Sequence, residues 1–132
     1  MPIAYLKWID RKDLLAKPAA RFVFGDNVER SGFGGQAGSM RGELNAIGVA
    51  TKWSPSNHPE AFFTDDDPAC RKVIDDDIDL VAAALLAGLN VYVPFDGLGT
   101  GLSQLPERAP KLHQHIIDRF KKLPGEPCPW GI

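Results

Sequence analysis

The chain has 132 residues and a formal net charge of −2, a size that fits one compact domain, so we expect a single domain over residues 1–132. The nearly balanced charge lacks the basic field that dominates nucleic-acid affinity, so no extended nucleic-acid surface is expected. No run approaches the roughly eighteen apolar residues of a membrane span, and Met1–Ile3 does not open a secretion signal, so we expect a cytoplasmic protein without a membrane partner.

The first predicted elements lead into a glycine-rich loop. Ala4–Ile9 alternates in a way that suits an edge strand or an extended arm, and Asp10 can cap a short helix over Arg11–Ala16. The aromatic and β-branched run Arg21–Phe24 predicts a buried strand that stops at Gly25. Each glycine beyond the needs of a turn costs backbone entropy, so the glycines that follow indicate close approach of another group to the backbone. They are Gly32, Gly34, Gly35 and Gly38.

The middle of the chain continues the alternation of helices and strands. Gln36–Leu44 predicts a short helix whose first N–H groups point into the glycine loop, an arrangement that attracts anions. Asn45–Thr51 predicts a second buried strand, and the loop Ser54–Thr64 follows it. In that loop either Phe62 or Phe63 packs inward, or one of them covers an apolar or aromatic ligand.

Two aspartate triplets mark a long helix. The triplet Asp65–Asp67 supplies a carboxylate N-cap, Pro68 suits the first helical position, and Gly88 ends the helix. The second triplet is Asp75–Asp77, and together the six carboxylates could suggest a metal site. Members of a helical triplet point in different directions, so we expect caps and a solvated face instead, with no metal and no cofactor.

The last third of the chain contains a second glycine cluster. Asn90–Pro94 predicts a third clear strand that runs directly into the cluster Phe95–Leu102. A closing helix follows, and the proline-rich residues Pro124–Ile132 predict an irregular tail held in place by Trp130.

The cysteines and histidines give no metal-binding spacing. Cys70 and Cys128 are far apart without a CxxC pattern, so free thiols are favoured over a disulfide or a metal site. His113 and His115 cannot share a helix face, which favours surface positions over metal ligation. His58 lies in a loop and has no role that the sequence assigns.

The order of elements predicts a compact three-layer α/β domain, with a mostly parallel or mixed sheet flanked by helices. In parallel sheets ligands bind at the carboxyl ends of the strands, and both glycine clusters directly follow strands. Two glycine loops meeting at one edge would form a backbone-lined pocket suited to phosphate oxygens. The alternative is two tight connections without a ligand.

Neither common nucleotide motif explains this pocket. A P-loop pattern is absent from the sequence, and Gly32–Ala37 satisfies only a loose G-x-G-x-x-A dinucleotide pattern. Its first glycine lies seven residues beyond Gly25 instead of in the turn after the strand, and Lys52 and Trp53 stand where an acid is expected.

The order FGDN, GFGGQAGSMRG, AIGVATKW and VYVPFDGLGTGL resembles the macro domain family, which consists of ADP-ribose-binding α/β modules. The resemblance covers about Arg21–Leu102. It lies in the order of the segments and in the chemistry of their loops, and few residues are identical. The chain is shorter than typical members, its usual asparagine-rich segment is reduced to GDN, and its glycine run is interrupted by Phe33 and Gln36. The chain also resembles a group of small bacterial and phage proteins that share the FGDN and GGQA segments.

The resemblance implies a site for ADP-ribose, for an ADP-ribosylated macromolecule or for a related nucleotide phosphate. It places Asn27 at the distal ribose, within a loop contacting the adenine or that ribose, and makes Phe33 or Phe95 a candidate to stack on a ring. The other implied ligand-binding residues are Gly25, Gly34, Gly35, Gln36, Ala37, Gly97, Gly99, Thr100 and Gly101.

Hydrolysis of an ADP-ribosyl bond is the favoured activity that the resemblance implies. Asp26 and Asp96 both follow strands and are candidates for a general base on water, with Arg41 or Lys52 nearby and Asn27 as a further candidate. Turn capping remains the alternative for both carboxylates. The rival functions are a non-catalytic nucleotide-binding module and a small interaction or anti-defence protein.

Overall fold

The structure is a computed structural model that describes residues 2–131; Met1 and Ile132, the ends of the predicted domain and tail, lie outside the described residues. The elements are β1 (Ile3–Leu6), α1 (Arg11–Ala16), β2 (Arg21–Asp26), α2 (Ala37–Met40), β3 (Ala46–Ala50), α3 (Pro68–Leu86), β4 (Val91–Pro94), α4 (Leu105–Arg108) and α5 (Pro110–Lys121). The strands form one sheet in the order β1-β4-β2-β3, and every pairing of these strands is parallel. The predicted α/β architecture is therefore confirmed, with a parallel sheet.

Each face of the sheet has its own apolar core. Phe22 and Phe24 of β2 pack with Leu14 of α1 and Met40 of α2. Val23 points to the opposite face, because side chains alternate along a strand, and lies in a larger core with α3 and α5. β2 is consequently covered by helices on both faces, which explains its almost continuous apolar sequence.

The first half of the chain differs from prediction at two element ends. β2 runs on through Gly25 to Asp26, where it still pairs with Ala50 of β3. The helix predicted over Gln36–Leu44 is the single turn α2, and the chain then bends at Gly42, whose φ is 95°. A helix of one turn has too few aligned peptides for a strong macrodipole, so the predicted anion attraction cannot depend on it.

The closing helix is divided. α4 ends at Arg108, Ala109 takes a non-helical conformation, and α5 begins at Pro110. Proline suits the first position of a helix and cannot donate a hydrogen bond to a preceding turn, so Pro110 starts a new helix at this point.

The irregular tail covers the outer edge of β1. Gly125 pairs with Ile3 in an isolated parallel bridge, and Glu126 N donates to Ile3 O at 2.9 Å. Trp130 is buried, and its Nε1 donates to Phe95 O at 2.9 Å. The prediction that Trp130 holds the tail is confirmed for the described residues.

α3 begins as predicted, with Asp67 as N-cap accepting from Ala69 N and Pro68 in the first turn. The remaining aspartates of the triplets have separate surroundings: Asp65 accepts from the first N–H groups of α5, whereas Asp75 contacts the side chains of α5. Among residues 2–131 no helix has the length and apolar composition needed to cross a membrane.

The structure also bears on the expectations for the cysteines and the histidines. Cys70 and Cys128 are free thiols. His115 differs from the expected surface histidine, because its Nε2 lies 2.6 Å from Asp75 Oδ1 between α3 and α5. His113 is half-buried, and that burial lowers the pKa of its imidazole.

Candidate functional site

A cleft of about 270 Å³ lies at the carboxyl ends of the strands. Its walls come from the segments that follow β1, β2, β3 and β4, as the topology of a parallel sheet requires. Most of the residues predicted to form the site line it: Gly25, Asp26, Asn27, Gly34, Gly35, Gln36, Ala37, Asp96, Gly97, Gly99, Thr100 and Gly101. Phe33 and Phe95 are partly or largely exposed outside this lining, so the geometry gives no support to their predicted stacking role.

The two glycine loops face each other across the cleft. A Cβ on Gly25 would lie 3.5 Å from Gly99 N, and one on Gly34 would lie 2.6 Å from Leu102 Cδ1. Gly99 has a φ of 78°, and a Cβ on it would lie 3.0 Å from Leu105 Cβ. A side chain there would therefore be both strained and crowded. The glycines therefore allow two stretches of backbone to approach each other.

Several backbone donors of these loops have no protein partner. The N–H groups of Gly34, Gly35, Gln36, Thr100 and Gly101 donate no hydrogen bond to any group within residues 2–131. These residues are exposed or partly exposed, so their N–H groups are open to a ligand or to water. Successive free N–H groups are a common means of binding anionic oxygens.

Asp26 is buried and already has strong partners. Its Oδ1 accepts from Arg41 Nη2 at 2.5 Å and from Asn27 N at 2.8 Å, and its Oδ2 lies 3.3 Å from Arg30 Nη1. Arg41 in turn donates from Nε to Gly32 O at 2.6 Å. Asp26 thus holds the first glycine loop through Arg41, which favours the capping interpretation of this carboxylate over the general-base interpretation.

Arg30 extends this network to the free edge of β3. Its guanidinium donates to Gly48 O at 3.2 Å and forms a bidentate pair with Asp77 of α3 at 2.8 and 2.9 Å. Asp77 Oδ2 also accepts from Ala50 N at 2.8 Å. The pairs with Asp77 and Asp26 raise the pKa of Arg30 although burial acts to lower it. The exposed backbone edge of β3 is thereby paired, and the loop after β2 is fixed to α3.

The side-chain amide of Asn27 also holds the loop after β2. Its Nδ2 donates to Ser31 O at 2.7 Å, and its Oδ1 accepts weakly from Ser31 N at 3.4 Å. The side chain is buried at the base of the cleft. Its contact with a ribose remains a prediction.

Lys52 is a buried cation in the cleft wall. The residue is only 4% exposed, and its Nζ donates to Ser56 O at 2.8 Å and lies 4.4 Å from the ring centroid of Phe62. Arg108 Cζ lies 3.7 Å from the same centroid. Burial, and then the charge of Arg108, lower the pKa of Lys52. Phe62 and Phe63 are both buried, so neither covers the cleft.

Asp96 differs from Asp26 in its surroundings. It is exposed, lines the cleft, and its carboxylate has no hydrogen-bond or ion-pair partner within residues 2–131. The backbone O of Asp96 accepts from Thr100 Oγ1 at 3.2 Å, which closes the second glycine loop. The carboxylate is therefore free to contact a ligand or a water molecule.

Sequence reasoning missed the contribution of β1 to the site. Lys7 and Trp8, which directly follow β1, line the cleft, and so do Leu102, the last residue of the second glycine cluster, and Ser103 after it. The available signal was the same one that located the glycine loops, because Lys7 and Trp8 also follow a strand of a parallel sheet.

The fold and the cleft define a three-layer α/β protein with a ligand-sized site at the carboxyl edge of a parallel sheet. The chain belongs to DUF7831, a family of unknown function whose model matches residues 4–119. All residues that line the cleft fall inside the matched range. No curated protein and no solved structure matches the chain.

Proposed function

We propose that the cleft binds the phosphate groups of a nucleotide-type ligand, with ADP-ribose as the leading candidate. The observation that carries the proposal is the pair of facing glycine loops, whose backbone N–H groups at Gly34, Gly35, Thr100 and Gly101 have no protein partner among the described residues. Such donors satisfy the oxygens of a phosphate without a large side chain. The resemblance to macro domains adds ADP-ribose as the specific ligand.

The charges of the cleft support an anionic ligand. Lys7, Arg41 and Lys52 line it, against the two carboxylates of Asp26 and Asp96. Asp26 is paired with Arg41, which leaves the exposed Lys7 as the cation that a phosphate would meet directly. Lys52 is buried with its Nζ on Ser56 O and has no carboxylate partner among residues 2–131, so it adds positive charge to the cleft wall instead of a direct contact.

The favoured activity is hydrolysis of an ADP-ribosyl bond, with Asp96 as general base. A general base needs a free carboxylate within reach of a water molecule at the reacting carbon. Asp96 lines the cleft and its carboxylate has no partner among residues 2–131, which supports this role, whereas the oxygens of Asp26 accept from two arginines and a backbone N–H. Asp26 and Asn27 then position the loop that holds the phosphates.

The second candidate is a non-catalytic ADP-ribose-binding module. The buried positions of Asp26 and Asn27 favour it, because two of the three predicted catalytic side chains are engaged in holding the loop. The same cleft would serve both functions, so binding alone does not separate them.

Calorimetric titration with ADP-ribose tests the binding proposal. Lys7→Gln is expected to weaken binding, because Lys7 lines the cleft, while Lys12→Gln at an exposed position of α1 is the matched control. Absence of heat at millimolar ADP-ribose would refute ADP-ribose binding. Equal affinity of both variants and the unchanged protein would place the ligand away from Lys7.

Release of ADP-ribose from modified protein or nucleic acid separates the enzyme from the binding module. Loss of a general base typically lowers the rate about 10²- to 10⁴-fold. Asp96→Asn should therefore lower turnover by about 100-fold or more while ADP-ribose still binds. Turnover unchanged in Asp96→Asn would refute the role of Asp96, and absence of turnover in the unchanged protein would favour the binding module.

A further inference from the structure

Trp8 is a large aromatic side chain that the fold leaves uncovered at the cleft. Its exposed fraction is 56%, whereas Trp130 is 7% exposed and Trp53 packs edge-on against Phe63 at 5.0 Å. Trp8 also lines the cleft, beside Lys7. An exposed tryptophan that lines a ligand-sized cleft is better explained by a ligand than by packing.

The backbone next to Trp8 is fixed to the first glycine loop. Gln36 accepts from Ile9 N through Oε1 at 2.9 Å and donates to Ile9 O through Nε2 at 2.8 Å. The side chain of Ile9 is fully buried, and the indole Nε1 of Trp8 donates to Asp10 Oδ1 at 3.0 Å. The ring therefore has a defined position relative to the glycine loop instead of a freely rotating one.

The cleft mouth offers a further apolar contact. Leu102 is 70% exposed, lines the cleft, and approaches the position that a Cβ on Gly34 would occupy. A cleft of about 270 Å³ is slightly smaller than the roughly 300–1,000 Å³ typical of small-molecule sites. Part of a dinucleotide-sized ligand would consequently extend to the mouth, where Trp8 and Leu102 lie.

We propose that Trp8 is the stacking platform for the base of a nucleoside diphosphate ligand whose phosphates lie between the glycine loops. This inference rests on the proposed function and restricts its ligand class to nucleotides, as opposed to sugar phosphates or inorganic phosphates. Base stacking on an aromatic ring is tolerant of base identity, since every base presents a π face. Trp8 replaces Phe33 and Phe95 as the aromatic contact of the site.

The test compares four ligands by calorimetry: ADP-ribose, ADP, ribose 5-phosphate and inorganic pyrophosphate. ADP and ADP-ribose should bind more tightly than the two ligands that lack a base. Trp8→Ala should weaken ADP and ADP-ribose about 5- to 150-fold, the range for one stacked base, and leave pyrophosphate unchanged. Trp8→Phe should retain most of the affinity, and Leu15→Ala, an exposed leucine of α1 away from the cleft, serves as control.

The outcomes separate the two proposals. If pyrophosphate binds and the base adds no affinity, or if Trp8→Ala weakens all four ligands equally, the stacking role is overturned and the phosphate cleft stands. If the unchanged protein binds none of the four ligands, the phosphate-binding function fails and the platform with it.

Quenching of tryptophan emission by ADP should also disappear in Trp8→Phe, because the other two tryptophans are at least half-buried.

Discussion

Arg41 Nη2 lies 2.5 Å from Oδ1 of the buried Asp26, so the end of β2 is tied to the residue that follows α2. The same guanidinium donates to the backbone oxygens of Ser31 and Gly32. The glycine loop is consequently held from its inner side by one arginine, and its glycines remain free to face the cleft.

Arg41→Met should destabilise the fold by about 3–5 kcal/mol, because it leaves a buried carboxylate short of its closest partner. Urea unfolding measures the loss. Asp76→Asn removes an exposed pair with Lys72 at 3.0 Å and should cost about 0.5 kcal/mol or less. A cost for Arg41→Met as small as that of the control would contradict the holding role of the buried pair.

Gly101→Val should block the cleft without harming the fold. A Cβ at this position meets no atom within 4 Å, and Gly101 is not among the glycines with positive φ. We expect an unchanged melting temperature and at least a roughly tenfold loss of ADP-ribose affinity, equivalent to about 1.4 kcal/mol. Ala87→Val, at an exposed position after α3, is the control. Full affinity in Gly101→Val would mean that the ligand lies elsewhere.

Lys52 should make stability depend on alkaline pH in a defined direction. Its pKa in the folded protein is lowered from 10.5 by burial and by Arg108, so between the two values the unfolded chain binds more protons. Stability then rises with pH across that window, as the folded-state penalty of charged Lys52 disappears. The difference in unfolding free energy between the unchanged protein and Lys52→Met should therefore increase from pH 7 to pH 10.5. A constant or decreasing difference would contradict the lowered pKa.

Gly125→Ala should loosen the tail from the sheet. Gly125 has a φ of 133°, and a Cβ there would overlap Ile3, whereas Gly88 has a φ of 84° with open space around it. Both alanine variants carry a backbone penalty of about 1–3 kcal/mol, and the overlap adds to it only at Gly125. Hydrogen exchange of the Glu126 amide, which donates to Ile3 O, should accelerate in Gly125→Ala alone. Equal stability losses in the two variants would contradict the steric component.

Local patterns in the sequence were enough to locate most elements. Asp10 and Asp67 with Pro68 marked the helix starts, and the short apolar runs at Arg21–Phe24 and Asn90–Pro94 marked strands. The failures lie where short-range rules compete, as at Pro110, which starts a new helix within the predicted closing helix. α2 is shorter than predicted because the backbone leaves the helical region at Arg41, whose ψ is 132°, and Gly42 then takes a φ of 95°.

The sequence by itself also determined that two glycine clusters follow strands, and a parallel sheet places all such segments at one edge. Only the tertiary structure decided how the neighbouring side chains divide their roles. The spatial order β1-β4-β2-β3 brings Lys7 and Trp8 to the same cleft as the glycine loops. The folding back of the loop after β2 sets Arg30 and Arg41 against Asp26, whereas the carboxylate of Asp96 has no partner among residues 2–131. The approach of Lys7 and Trp8 to the glycine loops joins residues distant in sequence and depends on strand order, whereas the pairs of Asp26 depend on how one loop packs, and local patterns encode neither.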